Sequence, residues 1–286
     1  MSNLMNHKKK AIFFMILASF FFTTMNMFGK LASGVTAYQK TFITNAVATL
    51  ILCIIIFKKK GSFFGHKGTR ILLLIRGITG TFSIGAFYFS LDYLILPDAT
   101  MINKLAPFFA VILSFLILKE KITGKQLLFL FIAFAGSVFI IKAHFNASII
   151  PSLVGVFAAF CAGLAYTMIR LLGDKEEFFT IILSFTGVAT IVCFPFMFIN
   201  TSGLTKENIL YMIFAGLSFI IGQVFLTLAY RNAPASEISM FDYVGLIIAA
   251  VYGFMLFNEI PDVLSIIGYL IIIVASFLNI IAKKPS

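Results

Sequence analysis

The chain has 286 residues, of which 60% are hydrophobic and only 12% charged, and its mean hydropathy is +1.05. A soluble domain carries about 25% charged residues, so this composition excludes one and points to a polytopic helical membrane protein. The net charge of +11 argues against a nucleic-acid role, because most Lys and Arg stand in short loops beside apolar runs, where basic residues set topology.

The chain opens on NHKKKAIFFMILASFFFTT, a basic start followed by an apolar run, as in a signal peptide. The run is long and carries polar positions at helical spacing, so it reads as a first membrane helix behind a cytoplasmic tail, 1–10. Ten spans follow from hydropathy: 11–30, 37–57, 70–91, 97–118, 125–141, 150–171, 179–198, 208–229, 236–256 and 263–282. The connections, such as FKKKGSFFGHKGTR at 57–70 and INTSGLTKEN at 199–208, are too short to hold a domain outside the membrane. With the N-terminus inside, the inner segments hold 16 Lys and Arg and the outer segments hold 4, namely Lys30, Lys40, Lys142 and Lys206. That bias predicts a cytoplasmic-membrane protein with both termini cytoplasmic. Arg76 and Lys104 are the two cations left inside spans. Cys53, Cys161 and Cys193 lie in apolar segments with no metal-ligand spacing and read as small buried hydrophobes.

The two halves echo each other. FLILKEKITGKQLLFLFIAFAGSVFI (115–140) aligns without gaps to FMLFNEIPDVLSIIGYLIIIVASFLN (254–279), and each places a Glu, Glu120 or Glu259, just after a span. Upstream, LPDAT (96–100) resembles APASE (233–237). The expected fold class is an all-α membrane protein of ten transmembrane helices in two inverted five-helix repeats, 11–142 and 149–282. Five spans per unit is an odd number, so the second unit runs in the opposite sense.

These stretches, with GKLAS (29–33), RGITGTFSIGAFYFSLDYLILPDATMINKLAPFFAVILSFLILKEKI (76–122) and FDYVGLIIAAVYGFMLFNEIPDVLSIIGYLII (241–272), resemble the drug/metabolite transporter superfamily and its EamA-type members. The resemblance covers nearly the whole chain. It implies a ten-helix fold and movement of small organic solutes by alternating access, without implying one substrate. Two departures matter: Thr44 stands near where relatives often carry Arg, and the first helix has no acid, whereas small four-helix relatives that export cations use a membrane Glu there.

Polar positions inside spans should face protein or water. Helix 1 sets Ser19, Thr23, Asn26 and Lys30 on one face. The sixth span carries Gly155, Ala159, Ala162, Tyr166 and Arg170 along a stripe, and the eighth Gly216, Gln223, Thr227 and Tyr230. The fourth offers Thr100, Asn103, Pro107 and Ser114 beside Lys104, and the ninth sets Asp242 with Ala249 and Gly253. Small residues in such stripes equally serve close helix packing, and Gly77, Thr81 and Gly85 of the third span read as a packing seam. A Lys or Asp at the bilayer centre costs at least roughly 2.5–3.5 kcal/mol, so Lys104 and Asp242 weigh most. Lys104 stands about 10 Å from the outer end of its helix, beyond easy snorkelling. Arg76, nearer the inner end, either snorkels to cytoplasmic phosphates or faces the interior. The inverted alignment puts Asp242 opposite Asn103. Lys104 is therefore expected to face a cavity between the repeats, with Asp242 or an anionic group of the substrate as its partner. The expected lining is Lys104, Asp242, Asn103, Asn26, Gln223, Tyr166, Tyr230, Thr23 and Arg76.

A secondary transporter for an amino-acid-like or other zwitterionic metabolite follows, with Asp242 a candidate carrier of a coupling proton, and with no metal or cofactor. The chain is expected to act as a monomer or homodimer with a small-molecule substrate and the lipid bilayer as partners. A channel or facilitator for small polar solutes is the alternative. A membrane enzyme ranks behind both: His7, His66 and His144 lie in the tail or loops, and no nucleophile-base pair or HExxH is present.

Overall fold

The computed structural model describes residues 2–119, 124–143, 149–233, 241–242 and 244–281. Glu120, His144, most of the 233–237 segment, the expected start of the ninth span at 236 and residue 282 lie outside the described residues. The described residues form helices and no strands: α1 (Ser2–Leu31), α2 (Ala37–Lys59), α3 (Arg70–Tyr93), α4 (Leu96–Asn103), α5 (Ala106–Leu118), α6 (Gly124–Ala143), α7 (Ile150–Leu172), α8 (Phe178–Cys193), α9 (Lys206–Asn232), α10 (Val244–Phe257) and α11 (Val263–Ile281). Among them, seven stretches are long and apolar enough to cross a bilayer, with α4 and α5 together forming one of them, and three shorter apolar helices accompany these. Large apolar side chains such as Leu50, Ile71, Phe131, Ile191 and Met255 are exposed on the outside of the bundle, as lipid contact requires.

Three spans depart from the hydropathy reading. The fourth is broken, because Lys104 and Leu105 leave the helical path between α4 and α5. Pro107 explains the break: it has no N–H to donate, and its ring crowds the carbonyl of Asn103 four residues back. The turn is held instead by tighter bonds, Leu105 N–H to the Ile102 carbonyl (3.1 Å) and Phe108 N–H to the Leu105 carbonyl (3.0 Å). The seventh span is α-helical only to Cys193 and continues as 3₁₀ helix over Phe194–Phe198, where Pro195 removes a donor. In the ninth, Asp242 stands in a 3₁₀ turn ahead of α10 and not in α-helix.

The helices pair along their lengths: α1 with α9, α3 with α7, α2 with α8, and α6 with α11. Crossing contacts then join α5 to α7, α10 to α1, α3 to α8, α2 to α9 and α4 to α10. The seam expected on α3 is real at Gly77, where a Cβ would stand 2.5 Å from the Ser184 carbonyl of α8. Gly85 contributes little, since a Cβ there meets only Thr41 at 3.6 Å. Gln39 pins one end of α2 to the chain after α8, donating from Nε2 to the carbonyls of Met197 (3.1 Å) and Ile199 (3.0 Å).

At the other end, Glu176 ties the α7–α8 turn to the α2–α3 loop. Its carboxylate accepts from the His66 N–H (2.8 Å), the Glu177 N–H (3.0 Å) and the Thr69 hydroxyl, with His66 Nδ1 at 3.1 Å. Burial pushes this carboxyl up, but the Thr69 hydroxyl and the two backbone N–H groups outweigh it, and the group is held below its usual range. Gly65 makes the contact possible. Its φ is +63°, and a Cβ would stand 2.5 Å from Glu176 Oε2, so both backbone and space call for glycine.

Candidate functional site

Lys104 Nζ lies 2.7 Å from Asp242 Oδ2. The two groups arrive from opposite halves of the chain, one at the break between α4 and α5, the other in the turn before α10. Discontinuous helices are where membrane proteins expose backbone and aim side chains at a central site. Lys104 is 8% exposed, so its ammonium does not reach lipid headgroups. The turn carrying Asp242 is clamped by α1: the Ser19 hydroxyl donates to the Asp242 carbonyl (2.5 Å) and accepts from the Gly245 N–H (3.0 Å). The Thr23 hydroxyl donates to the Ser19 carbonyl (2.8 Å) and lies 3.3 Å from the Gly245 carbonyl. Gly245 permits this approach, since a Cβ there would stand 2.4 Å from Ser19 Oγ.

The pair borders a central cavity with a free volume of about 100 Å³. All nine residues expected from the sequence to line an interior are on its wall: Thr23 and Asn26 from α1, Arg76 from α3, Asn103 and Lys104 at the break, Tyr166 from α7, Gln223 and Tyr230 from α9, and Asp242. Ser19, Ser114, Gly155, Arg170, Gly216, Thr227, Ala249 and Gly253, which share stripes with these residues, are not on it. Gly155 packs against Ser90 and Ile102, and Gly216 against Val47, which is the close-packing role of small residues.

Arg76 resolves toward the interior. It is 2% exposed, its guanidinium lies 4.6 Å over the Phe185 ring, and Nη2 is 3.4 Å from Gln223 Oε1. The Tyr166 and Tyr230 rings pack with centroids 5.3 Å apart. Tyr230 also borders a second hollow with Arg170, Asp174 and Arg231, the last two joined by an ion pair of 2.7 Å.

At the α1 C-terminal end, one turn beyond Asn26, stands a charged cluster. Lys30 Nζ meets Glu259 Oε1 at 2.5 Å and donates to the Leu94 carbonyl (2.7 Å), while Glu259 Oε2 accepts from the Leu96 N–H (2.8 Å). Lys40 pairs with Asp92 nearby. Asp98, 1% exposed, is joined to α11 through the hydroxyls of Tyr269 and Ser265.

Sequence reasoning missed Gly80, Phe185 and the Lys30–Glu259 cluster. One Phe among 36 carries no signal of its own. Gly80 lies one turn from Arg76, where a Cβ would stand 2.5 Å from Nη1, and that i, i+4 spacing was a readable signal.

The EamA-like transporter family profile matches the chain twice, over residues 9–142 and 149–281. The pseudopaline exporter of Pseudomonas aeruginosa is 29% identical over 272 residues, covering 93% of this chain and 94% of that protein. Solute carrier family 35 member G1 of Mus musculus is 26% identical over 294 residues, covering 94% of this chain and 79% of that protein. A protein of known crystal structure overlays with a TM-score of 0.71 at 12% identity, over 94% of this chain and 96% of that one, a likeness of fold alone. The apolar helices, the partly buried ion pair at a helix break and transporter relatives that align over nearly the whole chain describe a multi-pass membrane transporter, not an enzyme. With two profile matches that leave only short stretches uncovered, the chain belongs to the EamA-like transporter family.

Proposed function

We propose that the protein is a secondary transporter that carries a small organic solute, amino-acid-like or otherwise zwitterionic, across the cytoplasmic membrane by alternating access at the central cavity. Both termini are cytoplasmic in this reading, as the basic-residue bias supports. The observation that carries it is the convergence of nine polar side chains, with the Lys104–Asp242 pair among them, on one cavity between the halves of the chain. Polar groups in hydrocarbon are costly, and a cluster of them around a void answers to a polar cargo.

The ten-span, two-repeat architecture belongs to the same proposal. If α1, α2, α3, α4–α5 and α6 correspond to α7, α8, α9, α10 and α11, the helix pairings map onto themselves: α1 on α9 mirrors α7 on α3, α5 on α7 mirrors α10 on α1, and α3 on α8 mirrors α9 on α2. The double profile match supports the unit boundaries near 11–142 and 149–282. The cavity wall then draws on the first, third and fourth spans of each unit, with Phe185 of α8 added, so rocking one unit against the other exposes it to each side in turn. In such a cycle Asp242 is the candidate carrier of a coupling proton.

The test is solute counterflow in proteoliposomes. A carrier saturates and exchanges labelled for unlabelled solute, whereas a channel passes current without exchange. Wild-type exchange that survives unchanged in folded Lys104→Ala and Asp242→Asn proteins refutes the site.

A further inference from the structure

Arg76 is buried on the cavity wall with no carboxylate beside it among the described residues. It makes no ion pair among the described residues, and its hydrogen bonding there is a single contact, Nη2 to Gln223 Oε1 at a long 3.4 Å. Nε is buried and has no partner. The rest of its environment is the Phe185 face and Gly80. A guanidinium carries five N–H donors in a fork matched to a carboxylate, and a buried charge without a counterion is strongly destabilising. The acid on the cavity wall among the described residues, Asp242, is engaged by Lys104.

Three further groups on the same wall are also unanswered. Asn26 Oδ1, Thr100 Oγ1 and Asn103 Oδ1 are buried and without partners, and all three residues line the cavity. Native proteins satisfy buried polar groups, so a cluster of open ones around a void marks where a ligand's groups go. Among the described residues, the charges on the wall are Lys104, Arg76 and Asp242, two positive and one negative.

We propose that Arg76 seats a carboxylate of the transported solute, while Asn26, Thr100 and Asn103 take its amino or hydroxyl hydrogens. The cargo is then a carboxylate metabolite with one more acid than amino group. This assignment rests on the transport role proposed above and names the substrate class for that site. Gly80 holds room for the guanidinium, and Phe185 and Gln223 are positioning residues that keep the fork facing the void.

The experiment measures thermal stabilisation of the purified protein by a library of carboxylate metabolites, each paired with its carboxamide, glutamate with glutamine and aspartate with asparagine among them. Wild type is expected to bind at least one acid about tenfold or more tighter than its amide, as a site built for a polar group rejects the analogue lacking it. Arg76→Gln is expected to lose that preference with an unchanged or raised melting temperature in the absence of solute, since it removes a buried charge held open for ligand. Arg76→Lys is expected to keep part of the preference, and it decides the matter if Arg76→Gln does not fold. A library in which no acid outperforms its amide, an Arg76→Gln protein that still prefers acids, or an Arg76→Lys protein indistinguishable from wild type in the ratio overturns the proposal. Acids and amides binding equally in wild type, with Lys104→Ala still losing transport, removes only the role of Arg76. Unchanged exchange in folded Lys104→Ala protein removes the cavity reading itself.

Discussion

The ammonium of Lys104 and the carboxylate of Asp242, 138 residues apart in the chain, meet at 2.7 Å on the cavity wall. Lys104 stands in the turn between α4 and α5 and Asp242 in a 3₁₀ turn ahead of α10, so neither lies inside a regular α-helix. Their meeting joins the two halves of the chain at the wall of the cavity.

Removing one partner of this pair leaves the other charge uncompensated. Lys104→Ala and Asp242→Asn are each expected to lower exchange by about tenfold or more, the scale of losing one desolvated charged partner. The reversal Lys104→Asp with Asp242→Lys is expected to recover part of the loss. Initial-rate counterflow on the three proteins, normalised to reconstituted folded protein, checks both statements.

The Lys30–Glu259 cluster bridges α1, the α3–α4 junction and the α10–α11 connection, one helical turn beyond Asn26 of the cavity wall. Lys30→Met is expected to loosen that cluster and shift the population toward conformers open there. With Cys53, Cys161 and Cys193 replaced, a cysteine placed at Thr100 should label several-fold faster with an impermeant maleimide applied from the Lys30 side. Labelling from the opposite side should fall.

Glu176 is held below the ordinary carboxylate range in the folded protein. Such a group contributes stability above its unfolded pKa, and that contribution fades as pH drops through the folded value. Glu176→Gln is therefore expected to lower the melting temperature near neutral pH and to flatten its decline below the usual carboxylate range. Melting curves from pH 7 down into the acid range compare the two proteins.

Gly245→Ala inserts a Cβ that would stand 2.4 Å from Ser19 Oγ and 2.7 Å from Thr23 Oγ1. Overpacking of this kind costs roughly 1–3 kcal/mol. The α1 clamp on the Asp242 turn must shift, so exchange should fall together with thermal stability. Pairing the substitution with Ser19→Ala should restore part of the stability by removing one of the two obstructing hydroxyls.

Pro107→Ala restores a backbone donor and lets the path from α4 to α5 close into one helix. The melting temperature is expected to hold or rise while exchange falls, because Lys104 is then carried around a regular helical turn away from its present position. Equal exchange by wild type and the variant shows that the break has no role in transport.

Hydropathy and charge gave the membrane class and the helical content, and helical spacing with the inverted alignment nominated nine residues that stand on the cavity wall. Water is absent from hydrocarbon, so composition and basic-residue placement are constrained strongly along the chain itself. The stripes were only half legible. Helical spacing names which side chains share a face, as with Ser19, Thr23, Asn26 and Lys30, but not what that face meets. Folding divides those four among the Asp242 turn, the cavity and Glu259. Whether Arg76 snorkels or turns inward, whether Pro107 bends or breaks its span, and which acid Lys104 finds all depend on helices distant in sequence. Those are contacts between elements, settled by how the helices pack, and local periodicity holds no record of them.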